Sequence, residues 1–242
     1  MTPTPALIAI SHGTASPAGR AAVAALVKAV AAALPQVHVR LGHVDVQQPD
    51  VAASLDSLAP DEPAVIVPLL LSAGYHVRVD LREQSAGHAD VAISPALGPD
   101  DRLVEALAFR LAALDPTPDD AIVLAVAGSS DDRANEDCRA TARMLGERLG
   151  RDVTVGFLAG AEPRLAPAVR SARQGGRRVV VANYLLAPGY FHDLAVRLAD
   201  DSPVARPLLD DDEPAASLVE LVIARYRSRA RLPLRHGLRD AV

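Results

Sequence analysis

The sequence predicts an α/β protein of two tandem domains, each a parallel sheet flanked by helices. Three observations carry that prediction. Short apolar runs alternate with amphipathic helical patterns along the chain, as parallel strands covered by helices require. The pattern also repeats internally. Ile8-Ala9-Ile10-Ser11-His12-Gly13-Thr14 is similar to Leu124-Ala125-Val126-Ala127-Gly128-Ser129, and Val65 through Tyr75 is similar to Val179 through Tyr190. Finally, the copies are in register: 61 residues separate Gly13 from Gly74, and 61 separate Gly128 from Gly189.

The elements follow in order. An apolar run at 6–11 gives the first strand, and helical periodicity fits 18–34. A strand at 37–44 precedes a helix over 49–58, which Pro49 opens. Strands at 64–71 and 90–94 then alternate with helices at 76–85 and 100–114. Asp115-Pro116-Thr117-Pro118-Asp119 interrupts the helical pattern with two prolines and marks the linker. The domains are therefore expected at 1–117 and 118–242. In the second half, strands fit 121–127, 153–158, 178–185 and 204–207. Helices fit 134–149, 163–174, 190–200 and 214–230, with Pro163 at nearly the position that matches Pro49 in the first half. The run Asp210-Asp211-Asp212-Glu213 reads as a solvated loop whose acids favour the start of the last helix. From Arg231 onward there is no clear periodicity.

Composition narrows the function. The 242 residues suit two domains of about 120. Half the residues are apolar, enough for a sizeable core. A net charge of −5 and 3% aromatic residues give no basis for nucleic-acid binding. Cys138 is the sole cysteine, which excludes an intramolecular disulfide, a cysteine-ligated iron–sulfur cluster and a Cys-type zinc site within one chain. No positive segment precedes a long apolar one near the N-terminus, and no stretch reaches the roughly 18–20 apolar residues of a membrane span. The expected location is the cytoplasm.

In open α/β sheets, ligands bind beyond the carboxyl ends of the strands. His12 follows the first strand, His43 and Asp45 close the second, and His76 follows the third after Gly74-Tyr75. If the first strand lies between the second and third, these residues share one crevice. Two imidazoles and a carboxylate suit an open site for a divalent metal such as Fe, Co or Ni. Neutral imidazole also serves as a base near neutral pH. Taken singly, each residue has a plainer reading. His12 fits a loop histidine bonded to backbone, His76 a surface residue at a helix start, His43 a solvent-facing strand residue, and Asp45 a helix-capping acid. The pairing of His12 and His76 at equivalent strand ends favours the metal site.

Ser11-His12-Gly13-Thr14 and the run from Pro68 to Asp80 (Pro-Leu-Leu-Leu-Ser-Ala-Gly-Tyr-His-Val-Arg-Val-Asp) resemble the two signatures of the CbiX/SirB-type sirohydrochlorin chelatases, within the class II chelatase superfamily. The resemblance spans nearly the whole chain, in the duplicated long form. It implies two flavodoxin-like, chelatase-type domains with a cleft between them, and metal insertion into sirohydrochlorin in siroheme or cobalamin synthesis. The metal, Fe2+, Co2+ or Ni2+, is a substrate, and no further cofactor is implied. His12 and His76 would bind it and assist deprotonation, with His43 as an extra ligand. The family carries a glutamate four residues before the proline that is Pro49 here, and this chain has Asp45 there. In the second half, Ala127 stands at the position of the first histidine and Phe191 at that of the second, with His192 one residue further on. That half is expected to be catalytically silent and to supply the opposite wall of the cleft, with the chain a monomer.

Sirohydrochlorin carries eight carboxylates, and arginine suits bidentate carboxylate recognition. Arg78 is the leading candidate, with Arg82 and Arg20 behind it. Gly13 and Ser72 are placed at the substrate, and backbone donors at Gly13-Thr14 and Gly128-Ser129 are alternative anion contacts. Three rival readings stand beside this one, the least supported a plain nucleotide-binding α/β module, since neither Gly-x-Gly-x-x-Gly nor a P-loop follows a predicted strand. A non-catalytic tetrapyrrole or metal carrier would bind metal and ring without joining them. A histidine phosphatase would need an arginine directly before the histidine, where this chain has Ser11.

Overall fold

The computed structural model describes residues 4–72, 74–88 and 90–230, and for residues 75–78 the backbone alone. The tail from Arg231 lies outside the described residues. The first half forms a parallel sheet in the order β2-β1-β3-β4, from β1 (Ala6–Ser11), β2 (Val39–His43), β3 (Ala64–Pro68) and β4 (Val91–Ile93). All six residues of β1 are buried, as expected of a central strand covered on both faces. The helices are α1 (Pro17–Ala33), α2 (Val51–Asp56), α3 (Tyr75–Ser85) and α4 (Asp101–Ala112). In α1, Pro17 opens the helix, Ser16 accepts from the Gly19 N–H, and Ala22, Val23, Leu26, Val27 and Val30 form the buried stripe.

The second half repeats the plan with β5 (Ala121–Val126), β6 (Val153–Phe157) and β7 (Val179–Tyr184) in the order β6-β5-β7. Its helices are α5 (Asp132–Leu149), α6 (Leu165–Ala172), α7 (Tyr190–Leu198) and α8 (Ala216–Ala230). Asp131 caps α5, and Gly150, at φ 64°, closes it in the left-handed conformation. The strand expected at 204–207 shrinks to a single bridge between Val204 and Val181. Pro203 and Pro207 flank it, and neither has an N–H to extend a ladder.

The two sheets share one core. The cluster that holds Leu7, Val65 and Val67 of the first sheet also holds Ile122, Val180 and Ala182 of the second. Two helices cross between the halves. α4 packs against α5 and β7, whereas α8 packs against α1, β3 and β4. Tyr226 of α8 donates to Pro5 O at 2.6 Å, and Arg225 donates to Ala96 O and Leu97 O at 2.8 and 2.7 Å. The acidic run departs from the solvated-loop expectation. Asp210 is buried and pairs with Arg110 and Arg206, tying α4 to the second half. Arg206 also meets Asp211 and Asp212. Among the described residues, no helix is long and apolar enough to cross a membrane.

Candidate active site

A cavity of about 750 Å³ opens between the halves at the carboxyl ends of the strands. With β1 flanked by β2 and β3, the loops after these strands meet at one wall. Ser11 and His43 pair across the β1–β2 register, and Ser11 Oγ lies 2.8 Å from His43 Nδ1. Both are buried at 5% exposure, and among the described residues His43 Nε2 has no hydrogen-bond partner. Burial holds the His43 pKa below the ordinary histidine value, and the Arg20 charge pushes it the same way. The ring is therefore neutral, with a lone pair, at pH 7.

His12 is exposed and lines the cavity one residue past β1. Its loop is locked to the loop after β2. The Asp45 N–H donates to His12 O at 3.0 Å, and the Thr14 N–H donates to Gln47 Oε1 at 2.9 Å. Gly13 sits at φ 94°, and a Cβ there would lie 2.0 Å from Asp45 O. Only glycine permits that approach.

The cavity brings together His12, His43, Gly13 and Ser72. It does not include Asp45, whose exposed carboxylate accepts from the Val46 N–H at 2.7 Å. The side chains of His76 and Arg78 lie outside the described residues. Their backbone forms the first turn of α3, directly after the cavity-lining Gly74. Arg82 is exposed and away from the cavity, whereas Arg20 lines it. Two of the loop amides expected as anion contacts are already engaged: Thr14 N–H by Gln47, and Ser129 N–H by Asn135 Oδ1 at 2.9 Å. Among the described residues, the group of His, Cys, Asp and Glu side chains close enough to hold a metal is Asp210, Asp211 and Asp212, away from the cavity and already matched by arginines.

The facing wall is the same architecture with its polar groups replaced. Val126 and Phe157 occupy the register of Ser11 and His43, and the Ala159 N–H donates to Ala127 O at 2.9 Å, as Asp45 does to His12. Gly128, at φ 83°, repeats Gly13, and its Cβ would lie 1.9 Å from Ala159 O. Ala127, Leu185, Leu186, Tyr190 and Phe191 line this side. Tyr190 and Phe191 are 69% and 38% exposed, so a large apolar surface faces the opening. His192 is turned away from the cavity and bonds to Asn183 Nδ2 at 2.8 Å.

Sequence reasoning missed how the second half grips the first. Tyr184, buried at the cavity floor, donates to Leu71 O at 3.2 Å and lies 3.3 Å from Thr141 Oγ1. Leu71 belongs to the loop that leads into α3, so a residue of the second half is bonded to the segment that precedes this helix. A Cβ at Gly98 would lie 2.2 Å from that hydroxyl, so Gly98 makes room for the bond. Cys138 also lines the floor, with Sγ 4.0 Å from Ser72 Oγ, and burial pushes its thiol up to about 11.

The CbiX family model matches residues 6–114 and 121–201. No curated protein sequence matches the chain. Among solved structures, the chain is similar to SirB from Bacillus subtilis with Fe3+, at 18% identity and TM-score 0.78, covering 94% of this chain and 96% of that one. It is likewise similar to the sirohydrochlorin chelatase SirB from Bacillus subtilis subspecies spizizenii in complex with cobalt, at 17% identity and TM-score 0.76, covering 95% and 97%. A third likeness is to CbiX, the terminal enzyme for biosynthesis of siroheme in denitrifying bacteria, at 22% identity and TM-score 0.65, covering 93% and 99%. These likenesses establish the two-domain chelatase-like fold.

Proposed function

The chain belongs to the CbiX family, and from that premise we propose that it inserts Fe2+ or Co2+ into sirohydrochlorin, in siroheme or cobalamin synthesis. One observation of the molecule carries the reading. A cavity of about 750 Å³ has imidazoles on one wall and apolar side chains on the other. A flat macrocycle needs this asymmetry. One face lies against Tyr190, Phe191 and Leu186, and the other turns its pyrrole nitrogens toward the loops after β1, β2 and β3.

Metalation removes two protons from the ring and strips water from the metal. In this reading His12 and His76 hold the metal substrate, with His43 as an additional nitrogen ligand at the buried side. A neutral imidazole of this set accepts a pyrrole proton. His43 is kept neutral by burial and oriented by Ser11, so its Nε2 is available for either task. Asp45 acts through the loop it shares with His12 rather than by reaching the ring. Gly13, Ser72 and Arg78 border the substrate. The reading includes a monomer of the cytoplasm whose halves, 1–117 and 118–242, form the two walls. It requires no nucleic acid, no iron–sulfur cluster and no cofactor besides the metal substrate.

The test is an anaerobic absorbance assay with sirohydrochlorin and Co2+ or Fe2+. Native protein is expected to accelerate insertion over the spontaneous rate, and the His12→Ala/His76→Ala double variant to lose that acceleration while remaining folded. Tight macrocycle binding without acceleration by the native protein, with either metal, would replace the enzyme by a carrier. Full activity in the double variant would remove the assigned site.

A further inference from the structure

Arg20 is the only Asp, Glu, Lys or Arg side chain, among the described residues, that lines the cavity. None of the ion pairs among the described residues involves it. Its guanidinium is nevertheless held in place: Nε donates to Thr14 O at 3.0 Å and Nη2 to Ala15 O at 3.2 Å. A guanidinium has five N–H donors, and among the described residues the Nη1 side of the fork has no partner.

The repeat supplies an internal control. α1 and α5 begin with the caps Ser16 and Asp131, and the N–H groups of Arg20 and Asn135 donate to the carbonyls of these caps at 3.0 and 3.2 Å. Arg20 and Asn135 are thus equivalent. Asn135 is buried and does the structural work of the position completely. Its Nδ2 donates to Ser129 O at 2.8 Å, and its Oδ1 accepts from Ser129 N–H. In the first half the same loop is held by two residues, with Arg20 on the Thr14 carbonyl and Gln47 on the Thr14 N–H. A short neutral amide therefore suffices to hold the loop. The charge and length of Arg20 exceed that need, and they appear on the histidine wall and not on the apolar one.

We propose that Arg20 binds a peripheral carboxylate of the macrocycle and so fixes how the ring is turned within the cavity. The proposal rests on the tetrapyrrole reading above. The carbonyls of Thr14 and Ala15 orient the fork before substrate arrives, so little side-chain freedom is lost on binding. Because the facing wall carries asparagine at the equivalent place, the anchor is one-sided.

The experiment compares native protein with Arg20→Asn, the residue the second half uses, and Arg20→Lys, which keeps the charge and loses the fork. Uroporphyrin, a porphyrin with eight carboxylates, is the probe, titrated by fluorescence quenching. Thermal melting checks the fold, and Co2+ binding is measured separately. Arg20→Asn should weaken uroporphyrin binding by about 10- to 100-fold, the range of a lost charge-assisted hydrogen bond. Arg20→Lys should fall between it and native, and Co2+ affinity should not fall in either, since loss of a cation beside His43 does not oppose cation binding. Uroporphyrin affinity within twofold of native in Arg20→Asn would overturn the proposal, and if native protein still accelerates metal insertion the functional reading survives that result. If native protein neither binds uroporphyrin nor accelerates insertion, both fall together.

Discussion

The matched glycines of the two walls allow stability to be separated from chemistry. Gly13 and Gly128 have φ values of 94° and 83°, and a Cβ at each would lie 2.0 and 1.9 Å from the carbonyl oxygen of Asp45 and Ala159. Alanine at either position meets two costs. An L-residue in this conformation costs about 1–3 kcal/mol. Relieving the overlap by moving two backbone segments apart costs about another 1–3 kcal/mol. Each variant should therefore lose about 2–6 kcal/mol, or roughly 4–24 °C in melting temperature for a chain of this size. The functional outcomes should differ. Gly13→Ala pushes the His12 loop away from the Asp45 loop on the imidazole wall, whereas Gly128→Ala disturbs loops that carry Ala127 and Ala159. Urea and thermal melts give the stability, and Co2+ insertion into sirohydrochlorin well below the lower melting temperature gives the activity. The expected result is similar destabilisation with an activity loss at least tenfold greater in Gly13→Ala. Equal activity losses would refute the division of labour between the walls, and unequal stabilities would refute the strain argument.

Further outcomes follow from single contacts. Tyr184→Phe keeps the ring but leaves Leu71 O without its buried donor, so it should cost about 1–3 kcal/mol in urea unfolding. It should also lower Co2+ affinity, because the Leu71 loop leads into the segment of His76. Unchanged metal affinity would confine Tyr184 to packing. Burial holds His192 below the ordinary value of 6.5, with Asp193 opposing in part. The unfolded chain then takes up a proton that the folded one refuses, so stability contributed by this group is present above pH 6.5 and falls as pH drops below it. His192→Gln should flatten that acid-side loss in unfolding experiments and leave metal insertion intact. A loss of insertion as large as in His12→Ala would make the second half a catalytic partner.

Much of this was legible in the chain. The continuous apolar run from Ala6 to Ile10 can be buried on both faces only in a covered parallel sheet, and the equal glycine spacing revealed the duplication. The positions of His12 and His43 beside the cavity were legible because a strand end fixes where the next residue must lie. The side chain of Asp45 was not, since its backbone sits at the site while its carboxylate turns onto the neighbouring Val46 N–H. The Tyr184–Leu71 and Gln47–Thr14 bonds join residues 113 and 33 positions apart, and no local pattern encodes such a meeting. Arg20 differs from other arginines by its surroundings, and composition cannot reveal those. Likewise, periodicity shows that α4 and α8 each have an apolar face but does not say which sheet receives it.

The crossing of those two helices bears on how the chain is made and how it comes apart. During synthesis the N-terminal sheet emerges first, yet the helix that covers its β3 and β4 side comes last among the described elements. The early half therefore remains uncovered on one side until α8 has been made, a period in which exposed apolar strands invite aggregation. In the finished molecule the same interlacing works in the opposite sense. Cleavage in the loop between α4 and β5 would leave one fragment still packed through α4 on the other's sheet, and the other packed through α8 on the first. A nicked molecule should stay whole on a sizing column and separate only on denaturation, with its cleft still framed from both sides.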